Sequence, residues 1–415
     1  MKRLWELGRR RRVSTVKAAI GLFALETIVA SCAVSENDIG GTHEETDGGS
    51  AGDAAKVTAD VDDAGAEADP ERCATSDSGC DDVEWYRVDT KHPLGLGLAS
   101  VWGSGPDDVW AVGAAGSVIH WDGSVWVSVP IDTKLSLQAV HGTGPHDVWV
   151  VATANMIFHS NGFASGSAQW TRVTSVWEPP YEFATPGTLN AIWASSPNDV
   201  WTIGKHRTYS FDSSFNTIIE SAWRTVVTDD GIEWTSISAF DSHNVNSMWG
   251  SGPDDVWVVG SKGANSLSFA AHTNGAPVAD GSVLAWTEVD TRTFSVLNAV
   301  WGSGPGDVWT VGDGGTIRHI TAGAKTSSIV ESPTTENLRG LWGAGPKDIW
   351  AVGENGTFLH YDGTEWRTAK GAFSSKEKRH LYSIWGSGPS DVWAVGDGIV
   401  MHYSGPRPGA QGAKP

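Results

Sequence analysis

The chain has 415 residues and carries 49 acidic against 29 basic side chains, which gives a formal net charge of −20. A strongly acidic chain repels the phosphates of nucleic acids and of anionic lipid surfaces. The composition therefore argues against nucleic acid as a partner and against an anionic membrane surface held by charge alone.

Residues 1–31 have the composition of an export signal. A basic start, including Lys2 and Arg3, precedes a mostly apolar run over residues 18–30, which is short for a membrane span. The segment Val-Ala-Ser-Cys that ends at Cys32 resembles a bacterial lipobox, although Glu26 departs from the apolar pattern. We expect acylation of Cys32 and a lipid-anchored protein at the outer membrane or cell surface, with the periplasm as the alternative. An ordinary cleaved signal or a misassigned start would also fit.

Residues 32–82 differ in composition, because Gly, Ala, Asp and Glu dominate and apolar side chains are few. Such a segment cannot bury enough surface to offset the entropy of ordering, so we predict a solvated acidic tether. Cys73 and Cys80 lie near its end and can form a small disulfide loop in an exported protein. Two cysteines without a nearby partner ligand make a poor zinc site.

A repeat dominates the rest of the chain. The sequence VWGSGPDDVWAVG at residues 101–113 returns in six further versions, and each version holds two apolar runs around a Gly/Pro/Asp turn. A Gly-rich turn, a third run, an Asp-Gly turn and a fourth run follow. Four antiparallel strands per repeat predict one propeller blade, and seven copies predict seven blades. The first tryptophan position of the copies is occupied by Trp102, His141, Trp193, Trp249, Trp301, Trp342 and Trp385.

The two ends of the repeat region predict how the ring closes. The last repeat stops after its third run, and an unpaired fourth-strand sequence at residues 84–88 precedes the first repeat. We expect this N-terminal strand to complete the last blade, which removes the open edge. The prediction is an all-β, seven-bladed propeller over residues 83–403, followed by a disordered tail at 404–415. We expect a monomer.

Paired tryptophans recur on the first hairpin, and we expect them to form the core between blades. An aspartate precedes the second tryptophan of every copy, and a histidine recurs late in the third run, for example at His120 and His159. A metal or proton-transfer site is one interpretation of these residues. We favour a structural role, with the aspartates bonded to turn amides and the histidines bonded between blades. No cofactor is predicted.

The repeat pattern breaks in repeats two to four, where the connections lengthen. In a blade of this kind, the connections that leave the second and fourth strands emerge on one face. Exposed aromatic rings beside hydrogen-bond donors suit a protein or glycan ligand. The alternative is that these loops only cover apolar edges. The candidate ligand-binding residues are Trp177, Tyr181, Phe183, Lys205, His206, Arg207, Lys262 and Asn265.

The pattern VWGSGPxDVWAVGxxGTIxHxDGxxW resembles the Trp-rich propeller repeats of secreted proteins and lipoproteins in myxobacteria and related bacteria. The likeness covers about residues 84–403. More distantly the chain is similar to propellers of the Asp-box and sialidase kind and of the photosystem II assembly-factor type. The resemblance implies the fold and export, and it implies no defined activity.

We therefore expect a non-catalytic, lipid-tethered propeller that binds a protein or glycan through loops of blades 2–4. One alternative is a carbohydrate-active hydrolase or lyase of sialidase-like shape. The arginines, however, follow no pattern that matches the arginine triad such an enzyme needs. Another alternative is an assembly or scaffolding factor for an envelope complex.

Overall fold

The computed structural model describes residues 83–93, 95–173, 187–209, 216–228, 231–240, 243–263, 267–277, 284–373 and 379–406. Within these ranges, no helix is long and apolar enough to span a membrane. Cys32, Cys73, Cys80 and the predicted signal and tether lie outside the described residues, as does the tail from residue 407.

The strands form seven four-stranded antiparallel sheets, each one blade. The first strand, β1 (Tyr86–Val88), precedes blade 1. Blade 1 contains β2 (Leu98–Gly105), β3 (Asp108–Gly113), β4 (Val118–Trp121) and β5 (Trp126–Ser128). Blade 2 contains β6 (Leu137–Gly144), β7 (Asp147–Ala152), β8 (Ile157–Ala164) and β9 (Ser167–Val173). Blade 3 contains β10 (Thr188–Ser196), β11 (Asp199–Tyr209), β12 (Asn216–Thr228) and β13 (Gly231–Ala239).

The remaining blades repeat this order. Blade 4 contains β14 (His243–Gly252), β15 (Asp255–Lys262), β16 (Leu267–Thr273) and β17 (Thr287–Glu288). Blade 5 contains β18 (Leu297–Gly304), β19 (Asp307–Gly312), β20 (Ile317–Thr321) and β21 (Ser328–Val330). Blade 6 contains β22 (Leu338–Gly345), β23 (Asp348–Gly353), β24 (Phe358–Tyr361) and β25 (Trp366–Ala369). Blade 7 contains β26 (Leu381–Gly388), β27 (Asp391–Gly396) and β28 (Val400–Tyr403).

Blade 7 is completed by β1, which pairs with β28 from Tyr86 opposite His402 to Val88 opposite Val400. The predicted seven-bladed propeller and its closure by the N-terminal strand are therefore confirmed. Closure pairs the last open edge and joins the two ends of the repeat region.

Tryptophans fill the seams between blades, as predicted. The first-strand Trp of one blade lies over a glycine of the next, so that a methyl group built on Gly142 would come within 2.7 Å of the Trp102 ring. The second-strand Trp meets the fourth-strand Trp of the next blade, with ring centroids 5.2 Å apart for Trp393 and Trp126. Blade 5 lacks a fourth-strand Trp at this place and has Ser327, whose hydroxyl donates to the Thr291 carbonyl at 2.9 Å.

The blades define two faces of the ring. The turn face carries the hairpins between first and second strands and the turns between third and fourth strands, which meet where Trp121 Nε1 donates to the Pro106 carbonyl at 3.2 Å. The mouth face carries the connections that leave second and fourth strands. Hairpins project there from blades 3 and 4, because β11 and β12 stay paired out to Tyr209 opposite Asn216, and β15 and β16 out to Lys262 opposite Leu267.

Candidate binding site at the channel mouth

The recurring aspartates and histidines form one buried network per blade. In blade 1, the Asp108 carboxylate accepts hydrogen bonds from Ser104 Oγ at 2.6 Å and Trp110 Nε1 at 3.1 Å, and it lies 2.7 Å from His120 Nε2. Burial raises the pKa of Asp108, but the hydrogen bonds from His120, Ser104 and Trp110 outweigh it and lower the pKa overall. The network ties the first hairpin of the blade to its third strand.

The same arrangement recurs around the ring. Blade 3 has Arg224 in the histidine's place, bonded to Asp199 and lying 4.6 Å over the Trp201 ring. The remaining histidine contacts with the aspartate are His159 with Asp147, His272 with Asp255, His319 with Asp307, His360 with Asp348 and His402 with Asp391.

The structural role of these residues is confirmed, but two expected details are wrong. Asp108 and its equivalents bond to side chains of their own blade, whereas turn amides were expected. The histidines bond within their own blade rather than between blades. The carboxylate sits beside its own blade's Trp and His because strands two and three are neighbours in one sheet. Among the described residues, no group of three or more His, Cys, Asp or Glu side chains could hold a metal ion.

A second set of equivalent positions lies at the start of each first strand. In blade 1 the pairing of β2 with β3 shifts register between Leu98 and Ser100, which leaves Ala99 as a bulge residue. The same shift occurs in every blade. A bulge re-aims a side chain out of the ladder. The seven bulge residues, which we name the mouth ring, all line one central cavity; they are Ala99, Gln138, Asn190, Asn246, Asn298, Arg339 and Tyr382.

The mouth ring differs from blade to blade, whereas the positions around it repeat. Each member follows an apolar residue such as Leu98 or Val245, and both of these are fully buried. The cavity that the ring surrounds has a volume of about 200 Å³. A repeat scaffold carries its function where equivalent positions diverge, so this ring is the candidate binding site.

Hydrogen bonds between blades hold three of the seven members of the mouth ring. Asn190 Nδ2 donates to the Val245 carbonyl at 3.2 Å, Asn246 Nδ2 to the Leu297 carbonyl at 2.9 Å, and Asn298 Nδ2 to the Leu338 carbonyl at 2.9 Å. Each acceptor is the residue just before the bulge in the next blade. The amides thus satisfy carbonyls beside each bulge and fix the ring's geometry.

Charged groups lie at the mouth over blades 5 to 7. Arg339 forms ion pairs with Asp313, at 3.2 Å, and with Glu354. The hydrogen bond from Arg339 lowers the pKa of Glu354. Tyr382 donates to Asp397 Oδ1 at 2.7 Å, and burial together with this bond raises the pKa of Tyr382 to about 12. The three carboxylates occupy equivalent places just after the second strand of their blades.

The predicted binding residues have mixed outcomes. Trp177, Tyr181, Phe183 and Asn265 lie outside the described residues, and His206 and Arg207 are described only as backbone of β11. Lys205 is half-buried on the mouth face, at the blade 3 position equivalent to Asp313. Lys262 pairs with Glu288 on the same face. Reasoning from the sequence missed the mouth ring.

A groove beside Lys262 adds an apolar feature to the mouth face. It encloses about 320 Å³ between blades 4 and 5 and is lined by Leu267, Phe269 and Phe294 among others. The Phe294 side chain is 83% exposed. An aromatic ring this exposed beside a concave surface is typical of an interaction site.

No family model and no curated protein matches the chain. Solved structures share its fold. YCF48 bound to D1 peptide has a TM-score of 0.57 at 17% identity, covering 80% of this chain and 97% of that one. YCF48 from Cyanidioschyzon merolae has a TM-score of 0.55 at 17% identity, covering 77% and 98%. The WD40 β-propeller domain of Doa1 has a TM-score of 0.53 at 12% identity, covering 78% and 96%.

Proposed function

We propose that this propeller is a non-catalytic binding module that holds a segment of a partner protein against its channel mouth. The observation that carries the proposal is the mouth ring, in which seven equivalent bulge positions hold different side chains around one cavity. Six of the seven are polar or charged, and five of these six are preorganised by bonds to the next blade or to the turn after a second strand. A site built this way gives up little entropy when it binds a segment.

The titration of the mouth residues supports a non-catalytic role. A general acid or base needs a pKa near the working pH. Glu354 has a lowered pKa and Tyr382 a pKa raised to about 12, so both move away from neutrality. Glu84, whose carboxyl pKa is raised by burial, lies beside His360 and Arg367 rather than among the residues that line the channel.

One structural neighbour supports a protein ligand by fold alone. It is YCF48 bound to D1 peptide, which shares architecture with this chain at 17% identity. A peptide on a propeller of this shape makes a peptide ligand reasonable here. The residues that would bind it in this chain come from its own mouth ring and not from that comparison.

We extend the proposal to the cell envelope and to the loops of blades 2–4. Export and acylation at Cys32 would tether the propeller to a membrane by lipid. The aromatic residues Trp177, Tyr181 and Phe183, together with the hairpin of blade 3, would add contacts around the mouth. Phe294 would add an apolar anchor beside blade 4.

Site-specific photo-cross-linking in cells tests the proposal. A photoreactive phenylalanine analogue replaces Tyr382 on the mouth face or, as the matched control, Val125, which is 51% exposed in the turn of blade 1. We expect one discrete protein adduct from position 382 and none of that mass from position 125. Adducts from both positions alike, or from neither, would contradict a binding site at the mouth.

A carbohydrate-active enzyme is the second candidate, because the mouth holds three carboxylates and an arginine. Sialidase-like chemistry needs an arginine cluster, whereas Arg339 is the cation among the residues that line the channel and already pairs with two carboxylates. A screen of fluorogenic glycosides separates the candidates. Turnover by the wild-type chain that is abolished in Glu354→Gln would favour the enzyme over the binding module.

A further inference from the structure

The mouth ring presents amide oxygens that accept no hydrogen bond from the part of the chain that the structure describes. A side-chain amide has a donor end and an acceptor end, and the carbonyls of Val245, Leu297 and Leu338 can bind only the donor end. Three consecutive ring members are oriented in this way. The acceptor oxygens, the Oδ1 atoms of Asn190, Asn246 and Asn298, have no hydrogen-bond partner among the described residues.

Most of the amide donors of these three residues are in use. Asn190 and Asn246 each use one of their two N–H donors, and Asn298 Nδ2 uses both, on the Leu338 carbonyl and on Asp313 Oδ1 at 2.8 Å. A ligand that approaches blades 3 to 5 therefore meets three amide oxygens and two remaining N–H donors, so that acceptors are in excess. Such a surface favours a ligand group that donates several hydrogen bonds.

Carboxylates lie beside the Asn298 end of this row of oxygens. Asp313, Glu354 and Asp397 follow the second strands of blades 5, 6 and 7, and Arg339 is held between the first two of them. Arg339 cannot turn toward an anion without leaving two carboxylates unpaired. Lys205 stands in blade 3, and Arg379 Nη1 donates to the Asp397 carbonyl of blade 7 at 2.9 Å. The three carboxylates therefore outnumber the two arginines over blades 5 to 7.

We propose that the channel mouth takes a lysine or arginine side chain of the partner segment, held by the amide oxygens of the mouth ring beside the carboxylates of blades 5 to 7. This inference rests on the proposed function and adds the chemistry of the ligand. A charged donor on several oxygen acceptors forms the stronger class of hydrogen bond. The cavity of about 200 Å³ limits the site to a side chain rather than a folded element.

A peptide selection tests the inference. Randomised heptapeptides displayed on phage are selected against the full-length chain, and the affinity of one selected peptide is then measured. We expect lysine or arginine at one position of the selected peptides. Replacing that residue by glutamine should weaken binding about tenfold or more, as expected for loss of a charged contact.

Two protein variants make the same change of charge at different places. Asn246→Lys places a cation in the mouth ring, and Val125→Lys places one on the turn face; both side chains are exposed, so both variants should fold. Asn246→Lys should weaken the affinity for the selected peptide about tenfold or more, and Val125→Lys should weaken it less than about twofold. Tryptophan fluorescence confirms that each variant is folded.

The outcomes separate this inference from the proposed function. The cation site would be overturned by peptides that bind equally well with lysine, arginine or glutamine, or by peptides whose binding is insensitive to Asn246→Lys. Either result would still be consistent with peptide binding at the channel mouth. Enrichment of aspartate or glutamate would also overturn it. Failure to select any peptide above background would contradict the proposed function itself.

Discussion

His141 Nδ1 accepts a hydrogen bond from the Ala194 amide at 3.2 Å, in the one seam where a histidine replaces the first-strand Trp. In the other six seams a Trp lies over a glycine of the next blade, and a methyl group built on that glycine would come within 2.6–2.8 Å of the ring. The smaller imidazole leaves room for the methyl group of Ala194. The two departures from the repeat therefore compensate each other.

We predict that His141→Trp destabilises the propeller and that the double variant His141→Trp/Ala194→Gly recovers most of the loss. The indole meets the Ala194 methyl group, and overpacking of this kind costs about 1–3 kcal/mol. Urea unfolding followed by tryptophan fluorescence gives the free energy of unfolding of both variants. Ala194→Gly alone serves as the control for the loss of one methyl group. Equal stability of the single and double variants would rule out the proposed compensation.

The same histidine predicts a loss of stability in mild acid. Burial lowers the pKa of His141 from its usual 6.5 to about 4, and the nearby Asp147 offsets this only partly. Between pH 6.5 and about 4, His141 is protonated in the unfolded chain but neutral in the folded chain. The free energy of unfolding therefore declines as the pH falls from 6.5 toward about 4. This loss of stability is at most about 3 kcal/mol. It is reduced by solvent screening, because His141 is only partly buried.

Comparison with His141→Gln isolates this contribution. Groups that are common to both proteins and have no stated interaction with His141 cancel, including Asp108 and Asp391, whose lowered pKa values give a loss of stability only below about pH 4. Between pH 7.5, 6 and 4.5, the urea midpoint of the wild-type chain should fall relative to that of His141→Gln. Parallel pH profiles would show that His141 titrates alike in the folded and unfolded chain.

Blade 6 offers a stabilising substitution. Blades 1 and 5 place a serine hydroxyl on the network aspartate, as in Ser303 with Asp307 at 2.5 Å, whereas blade 6 has Ala344 at that position. Ala344→Ser should add a hydrogen bond to Asp348 and about 0.5–1 kcal/mol of stability. The reverse change, Ser303→Ala, should remove a similar amount. Thermal unfolding of the pair checks this, and a loss of stability in Ala344→Ser would count against the network as a shared stabilising element.

Trp85 should be essential for closing the ring. It is fully buried and stacks on Phe358 with ring centroids 4.5 Å apart, and it meets Trp350 edge-on at 5.2 Å. Trp85→Ala should cost about 3–5 kcal/mol, as for other buried tryptophans. Phe294→Ala, at an 83% exposed ring, is the control and should change stability by less than about 0.5 kcal/mol. Similar melting temperatures for the two variants would contradict closure through this residue.

The repeat made the architecture predictable from the sequence. Tryptophan, glycine and turn residues recur at equivalent places, so each blade repeats the same local chemistry and the unpaired strand before blade 1 identifies the closure. The Asp–His network also had a signal. The spacing of twelve residues from Asp108 to His120 returns from Asp147 to His159 and from Asp307 to His319. This equal spacing places each aspartate beside the histidine of its own blade, so the expected partners, turn amides for the aspartates and neighbouring blades for the histidines, were wrong.

The mouth ring was harder to predict because its cause is a bulge. The alternation of buried and exposed residues expected in a regular strand does not reveal that Asn246, directly after Val245, is a bulge residue outside the strand pairing. The available signal was a variable polar residue directly after the first apolar residue of each otherwise regular repeat. The loops of blades 2–4 differ in length from the other repeats, which is visible in the sequence. The mouth ring differs from blade to blade only in its side chains, without any change in length.

Amide hydrogen exchange of the full-length chain, with and without a selected peptide, tests the central claim most directly. If the mouth binds the segment, protection should appear in the second-to-third strand turns Ala114–Gly116, Asp313–Gly315 and Glu354–Gly356 and in the starts of the first strands. The hairpins of the turn face should exchange as before. Protection confined to the turn face or to the outer strands would contradict a binding site at the channel mouth.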